Sequence, residues 1–157
     1  MRWFAASICF LSIWCARGVQ AQSADEAAIK RQLAGYAEAR QRGDGPRQLN
    51  FYSLDADLWS SNTRKIAVGR GEVAKELGRT NRPHDFRLDI ENISFLGRDV
   101  ALVDTQYFGS SPTPHGHAAY LMVKRGDGWL IRAARVFRYP EAPPPPRGES
   151  TGSESTP

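Results

Sequence analysis

Few residues in this chain have the type and spacing to do chemistry. Of three histidines, His115 and His117 stand two apart, which on a strand points both imidazoles the same way. A metal site needs three or more ligands. His84-Asp85 is the only further donor pair, and the prolines around His115 suggest a loop. The expectation is therefore a solvated pair and no metal. Gly69-Arg70-Gly71-Glu72-Val73-Ala74 matches a dinucleotide fingerprint, and Glu91 follows twenty residues after Gly71. That motif works only inside a βαβ unit with parallel strands, whereas here it precedes a short helix and an antiparallel pattern. Arg125-Gly126-Asp127 spells an adhesion tripeptide but stands where a hairpin needs glycine and aspartate. Spacing supports no Ser-His-Asp triad, and no cofactor motif remains.

The two cysteines, Cys9 and Cys15, both lie in what reads as an export leader. Met1-Arg2 is a basic start, Trp3 to Ala16 is uncharged and mostly apolar, and Val19-Gln20-Ala21 puts small residues where a signal peptidase reads. Cleavage is expected between Ala21 and Gln22. Spanning a bilayer takes about 20 apolar residues, more than this run offers, so no membrane attachment is expected after cleavage. Trp14 before Cys15 puts a bulky ring where a lipidated cysteine has a small neighbour. The mature chain is then cysteine-free, which excludes thiol catalysis and cysteine-ligated zinc and leaves stability to the core. Export to the periplasm is the preferred destination over full secretion.

With 157 residues, 41% of them hydrophobic and 24% charged, the chain has the composition of one ordinary domain. Removing Arg2 and Arg17 leaves 19 basic against 17 acidic residues, so the net charge of +4 falls to +2. The arginines are scattered, and a nucleic-acid partner, which would require a concentrated basic patch, is not expected. Residues 141–157, rich in Pro, Ser, Gly, Thr and Glu, have nothing to bury and read as a disordered tail. The domain is thus expected over residues 22–140.

Within it, Ser23 to Glu26 reads as a capping box. Ile29, Leu33, Tyr36, Ala37 and Arg40 follow at helical spacing until Gly43-Asp44-Gly45-Pro46 stops the helix. A short second helix is expected over Pro46 to Leu54, with Leu49 and Phe51-Tyr52 inward. A strand Asp57 to Ser60 should pair with Lys65 to Val68, and a third helix should run from Gly69-Arg70-Gly71 to Gly78. Phe86, Leu88 and Ile90 then alternate with charged residues, as in a strand with one dry face. Val100 to Phe108, His117 to Lys124 and Trp129 to Arg138 complete a meander across glycine-rich turns. Helices followed by antiparallel strands make an α+β fold. With helices on one face only, the antiparallel sheet must curl around the N-terminal helices into a cone open at one end.

This order resembles the nuclear transport factor 2-like superfamily, which has a cystatin-like cone, and within it the SnoaL-like proteins. The resemblance rests on Arg42-Gly43-Asp44, Asp55-Ala56-Asp57-Leu58-Trp59, Gly69-Arg70-Gly71, and Val123 to Ile131 around Gly126-Asp127-Gly128-Trp129. It implies a homodimer packed through the outer sheet face and a pocket inside the cone. The superfamily holds isomerases, cyclases, dehydratases and binding modules, so fold alone does not name an activity. A ketosteroid isomerase-like site would need a carboxylate base, a tyrosine and a protonated acid. By the same resemblance Tyr36 matches the tyrosine, Ser60 stands in the base's place and Tyr120 in that of the second donor. A serine alone takes no proton near neutral pH, so no catalytic base is named.

Strand alternation predicts Ala101, Val103, Thr105 and Tyr107 on one inner face, Ala118, Tyr120 and Met122 on the next, and Ala133, Arg135 and Phe137 on the last. The expected pocket residues are therefore Tyr36, Ser60, Tyr107, Tyr120 and Arg135. Hydroxyls and one guanidinium in an apolar cavity suit a small organic molecule that is anionic or carbonyl-bearing. Proton transfer or elimination is the chemistry considered. The alternative is a non-catalytic dimeric assembly domain with a vestigial cavity, in which Arg135 points outward or pairs with a carboxylate such as Asp104.

Overall fold

The computed structural model describes residues 10–79 and 82–140, with side chains from residue 22 onward. The start of the leader and the tail from residue 141 lie outside the described residues. Three helices, α1 (Phe10–Gln41), α2 (Gly45–Leu49) and α3 (Arg70–Arg79), accompany six strands. These are β1 (Tyr52–Ser60), β2 (Lys65–Val68), β3 (Arg87–Phe95), β4 (Val100–Phe108), β5 (Gly116–Arg125) and β6 (Gly128–Arg138). They form one sheet in the order β2-β1-β6-β5-β4-β3.

The sheet curves around α1, and the core fills the space between. From α1, Ile29, Leu33, Tyr36 and Ala39 are buried, recurring every three or four residues as an amphipathic helix requires. They meet Val103, Tyr120, Met122, Trp129 and Ile131 from the inner face of the sheet. The middle of the helix is tied to the sheet by Asp25, whose carboxylate accepts from Lys124 Nζ (2.6 Å) and Trp129 Nε1 (3.1 Å). Among the described residues no helix is long and apolar enough to cross a membrane.

Four sequence expectations need correction. The first helix does not start at Ser23, because α1 already runs from Phe10. Amides there are inside the helix ladder, and Glu26 pairs with Lys30 one turn on instead. The second helix ends at Leu49, not Leu54. It is capped by Asp44, whose carboxylate accepts from the Arg47 N–H (2.9 Å). The chain then enters the sheet, where the Phe51 carbonyl accepts from the Ile131 N–H (2.8 Å). Leu54, expected in that helix, is 77% exposed on β1.

The sheet is also not wholly antiparallel, since β1 runs parallel to β6 with Leu58 opposite Ala134 and Ser60 opposite Val136. No hairpin connects these two strands. They are joined only through the whole intervening chain, so no tight turn dictates their direction. The other neighbouring pairs are antiparallel, and the α+β cone stands.

The fourth correction concerns β6. Leu121 lies opposite Ala133 and Met122 opposite Ile131, so Arg132 is an extra residue. Such a bulge moves every later side chain to the other face. Trp129 and Ile131 face inward before it, and Ala134 after it. Ala133, Arg135 and Phe137, expected inside, lie on the outer face.

Candidate functional site

The three long strands of the meander carry small or hydroxyl residues inward at the open end of the cone. Against them lies the last turn of α1. Between these walls is a cavity of about 360 Å³, bounded also by α3 and the loops at residues 82–86 and 109–115. Tyr36, Ser60, Tyr107 and Tyr120 line it together. Arg135 does not. Its guanidinium donates on the outer face to Asp57, a carboxylate that also holds Arg132 (3.2 Å). Arg132, pushed out by the bulge, reaches Asp55 as well (3.0 Å), so the parallel seam is clasped from outside. Arg135 pairs with Asp57 rather than Asp104, because the bulge puts it on the outer face, where β1 is the adjacent strand and Asp104 lies two strands away on β4.

At the inner end the tyrosines form a ring cluster. Tyr36 makes edge-on contacts with Tyr52 (5.8 Å between centroids) and Tyr120 (6.1 Å). The Tyr52 hydroxyl donates to the Tyr36 oxygen (3.3 Å), which leaves the proton of Tyr36 for another acceptor. Burial first, then the neighbouring phenols, push Tyr52 and Tyr120 well above the usual tyrosine range. Burial raises Tyr107 too. These hydroxyls stay protonated and can donate at any ordinary pH.

Arg40 takes the place expected of Arg135. One turn after Tyr36, it lines the cavity with its guanidinium over the Phe86 ring at 4.7 Å. Among the described residues its buried Nε has no hydrogen-bond partner, nor does Thr63 Oγ1, on another lining residue. Burial would lower its pKa, but the surrounding Tyr36, Tyr120 and Tyr52, with a hydrogen bond to Tyr36, outweigh that and leave it raised. Arg40 is therefore charged throughout the working range. It was legible as a charge on the apolar stripe of α1, although periodicity does not say what a charge there meets.

The mouth carries His84, Asp85, His115, Glu76, Arg79 and Arg138. The His84 N–H donates to the Gln41 carbonyl (3.1 Å) at the end of α1. Gly43, at φ +67°, makes room for this segment, since a Cβ there would stand 2.7 Å from the Arg82 carbonyl carbon. The His84 ring places Nδ1 2.7 Å from the Arg82 carbonyl oxygen. A carbonyl only accepts, so Nδ1 carries a proton, which in the neutral tautomer puts the lone pair on Nε2. His115 and His117 separate. His115 lines the cavity, whereas His117 stacks on Phe137 (4.7 Å, 14°) on the outer face. Among the described residues no group of three or more His, Cys, Asp or Glu converges as a metal site.

No protein-family model and no curated protein matches the chain. Solved structures do. A ketosteroid isomerase-like protein from Erwinia carotovora atroseptica superposes with a TM-score of 0.61 at 21% identity, covering 73% of this chain and 96% of that one. An NTF-2-like protein of unknown function from Shewanella oneidensis gives 0.62 at 21%, covering 72% and 98%. A domain of unknown function with a cystatin-like fold from Nostoc punctiforme gives 0.61 at 20%, covering 75% and 79%. At such identities the likeness is one of backbone, and it agrees with the curved sheet, its strand order and the helix inside it. The chain has the nuclear transport factor 2-like, cystatin-like fold.

Proposed function

We propose that this chain is an exported domain that binds a small organic molecule, anionic or carbonyl-bearing, in the cone, and that His84 lets it move a proton there. One observation carries the reading: tyrosine hydroxyls and the His84 imidazole, its Nδ1 held by a backbone carbonyl, line the same cavity. At about 360 Å³ it lies near the lower end of ligand pockets, which run to roughly 300–1,000 Å³. The ligand is correspondingly small.

The chemistry follows from the proton positions. His84 Nε2 accepts a proton from the carbon next to a carbonyl, and the C–H electron pair moves onto the carbonyl oxygen. Tyr36 and Tyr120 donate to that oxygen as its charge develops. The proton then returns to a different carbon, an isomerisation, or leaves with a β-hydroxyl as water, an elimination. His84 does the work of the base that Ser60 cannot do. The likeness to a ketosteroid isomerase-like protein agrees with this class of reaction without specifying a substrate.

The test is exchange of α-protons in D2O. Cyclic ketones and 2-oxo acids are incubated with wild-type protein and His84→Gln and followed by proton NMR. Exchange is expected with wild type and should fall at least tenfold in the variant. No exchange above buffer with any compound removes the catalytic reading, and no thermal stabilisation by any of them removes the binding one.

A homodimer is part of the same proposal, because Trp59 and His117 flank Phe137 on the outer sheet face (4.9 and 4.7 Å) and Phe137 is 36% exposed. The non-catalytic assembly reading keeps this surface and dispenses with the cavity. It is favoured by the outward turn of Arg135. Sedimentation of Phe137→Asp against wild type distinguishes a dimer through this face from a monomer.

A further inference from the structure

We infer that Arg40 is an anion anchor and that the ligand of this cavity is an organic carboxylate on a ring or short carbon frame. The inference rests on the ligand-binding reading above and narrows it to a substrate class.

A guanidinium inside a protein is normally paired, because an unpaired buried charge is expensive. Among the described residues no carboxylate forms an ion pair with Arg40. Its partners are neutral: the Phe86 ring face at 4.7 Å, which stabilises the cation, and the Tyr36 hydroxyl, which takes a hydrogen bond from it. Nε is buried and lacks an acceptor. Tyr120, on the neighbouring wall, offers a protonated hydroxyl rather than negative charge. A charged acceptor is thus what Arg40 lacks among the described residues.

The charges at the mouth agree. Arg40, Arg79 and Arg138 line the cavity against Glu76 and Asp85, and Glu76 already faces Arg79 at 3.6 Å. A carboxylate entering the cavity meets a net positive wall and can take two parallel N–H donors from one guanidinium. The rest of its frame would lie against Phe86, Leu58 and Val136. The class is therefore an aromatic or cyclic monocarboxylate, not a neutral ketone or sugar.

The experiment pairs acids with isosteric amides on the full chain: benzoate against benzamide, and 2-naphthoate against 2-naphthamide, by calorimetric titration and thermal shift. Carboxylates are expected to bind at least tenfold more tightly than their amides. Arg40→Met should abolish that preference, and Arg40→Lys should keep a weaker one. Amides binding as well as acids, or a preference that survives in Arg40→Met, overturns the inference and leaves the pocket reading standing. Failure of both classes to bind overturns the two together. If Arg40→Met does not fold, the arginine Nε–H resonances of the wild type serve instead. One should shift with benzoate and not with benzamide, and no such selective shift overturns the inference.

Discussion

Replacing Arg40 by methionine should leave the ligand-free protein as stable as before or raise its stability. Among the described residues the buried Nε has no acceptor, and an unsatisfied buried donor of this kind costs about 1–3 kcal/mol. Methionine follows the same stem through the core and brings no donor. Against this stands the lost contact between the guanidinium and Phe86 at 4.7 Å, a cation–π interaction of about 0.5–2 kcal/mol. The balance favours the variant by about 1 kcal/mol, which for a domain of this size is a rise in Tm of about 4 °C. Scanning calorimetry in a buffer free of organic acids measures it directly. Arg40→Ala is the control, because it removes the stem as well and opens a void, and it should be destabilised. A Tm for Arg40→Met at least 4 °C below wild type would refute the reasoning. It would mean that the guanidinium holds the fold together, as the ion pairs of Arg132 and Arg135 with Asp57 do on the outer face, rather than standing without a carboxylate partner.

The Asp25 carboxyl lies below the usual carboxylate range, chiefly through its hydrogen bond from Lys124, with Trp129 adding to it. A lowered folded-state pKa gives stability that is complete above the unfolded value of about 3.9 and is lost as pH falls through the folded one. Asp25→Asn should therefore destabilise the protein at neutral pH and flatten the acid limb of its Tm–pH curve, and an unchanged acid limb would contradict that. Gly43→Ala puts a Cβ 2.7 Å from the Arg82 backbone at a positive φ, so it should lose at least about 1 kcal/mol in urea unfolding and loosen the loop that holds His84. Expression in a cell with a Sec pathway should release a chain beginning at Gln22, read by intact mass. A chain retaining Cys15, or acylated on it, would contradict the export proposal.

Much of the fold was legible in the order of residues. The apolar stripe of α1, the turn glycines and the alternation along β4 and β5 depend on local geometry, so the helix, the strands and the inward facing of Tyr107 and Tyr120 followed from spacing. The reading failed where a partner strand decides. Alternation carried through β6 puts Arg135 inside, but a bulge exists only when the neighbouring strand has one residue fewer to offer, and Arg132 fills that mismatch opposite β5. The direction of β1 beside β6 was hidden for the same reason, since no hairpin joins them.

Local pattern therefore accounts for the succession of elements and the tyrosine-lined wall. Tertiary structure decides which arginine faces the hollow. A charge on a helix stripe is tolerable only if something outside that helix leaves it space, and here the segment at residues 82–86, the curve of the sheet and the Phe86 ring do so for Arg40. His84 likewise gains its tautomer from a carbonyl two residues back and its position from the end of α1, contacts that exist only once the chain has closed.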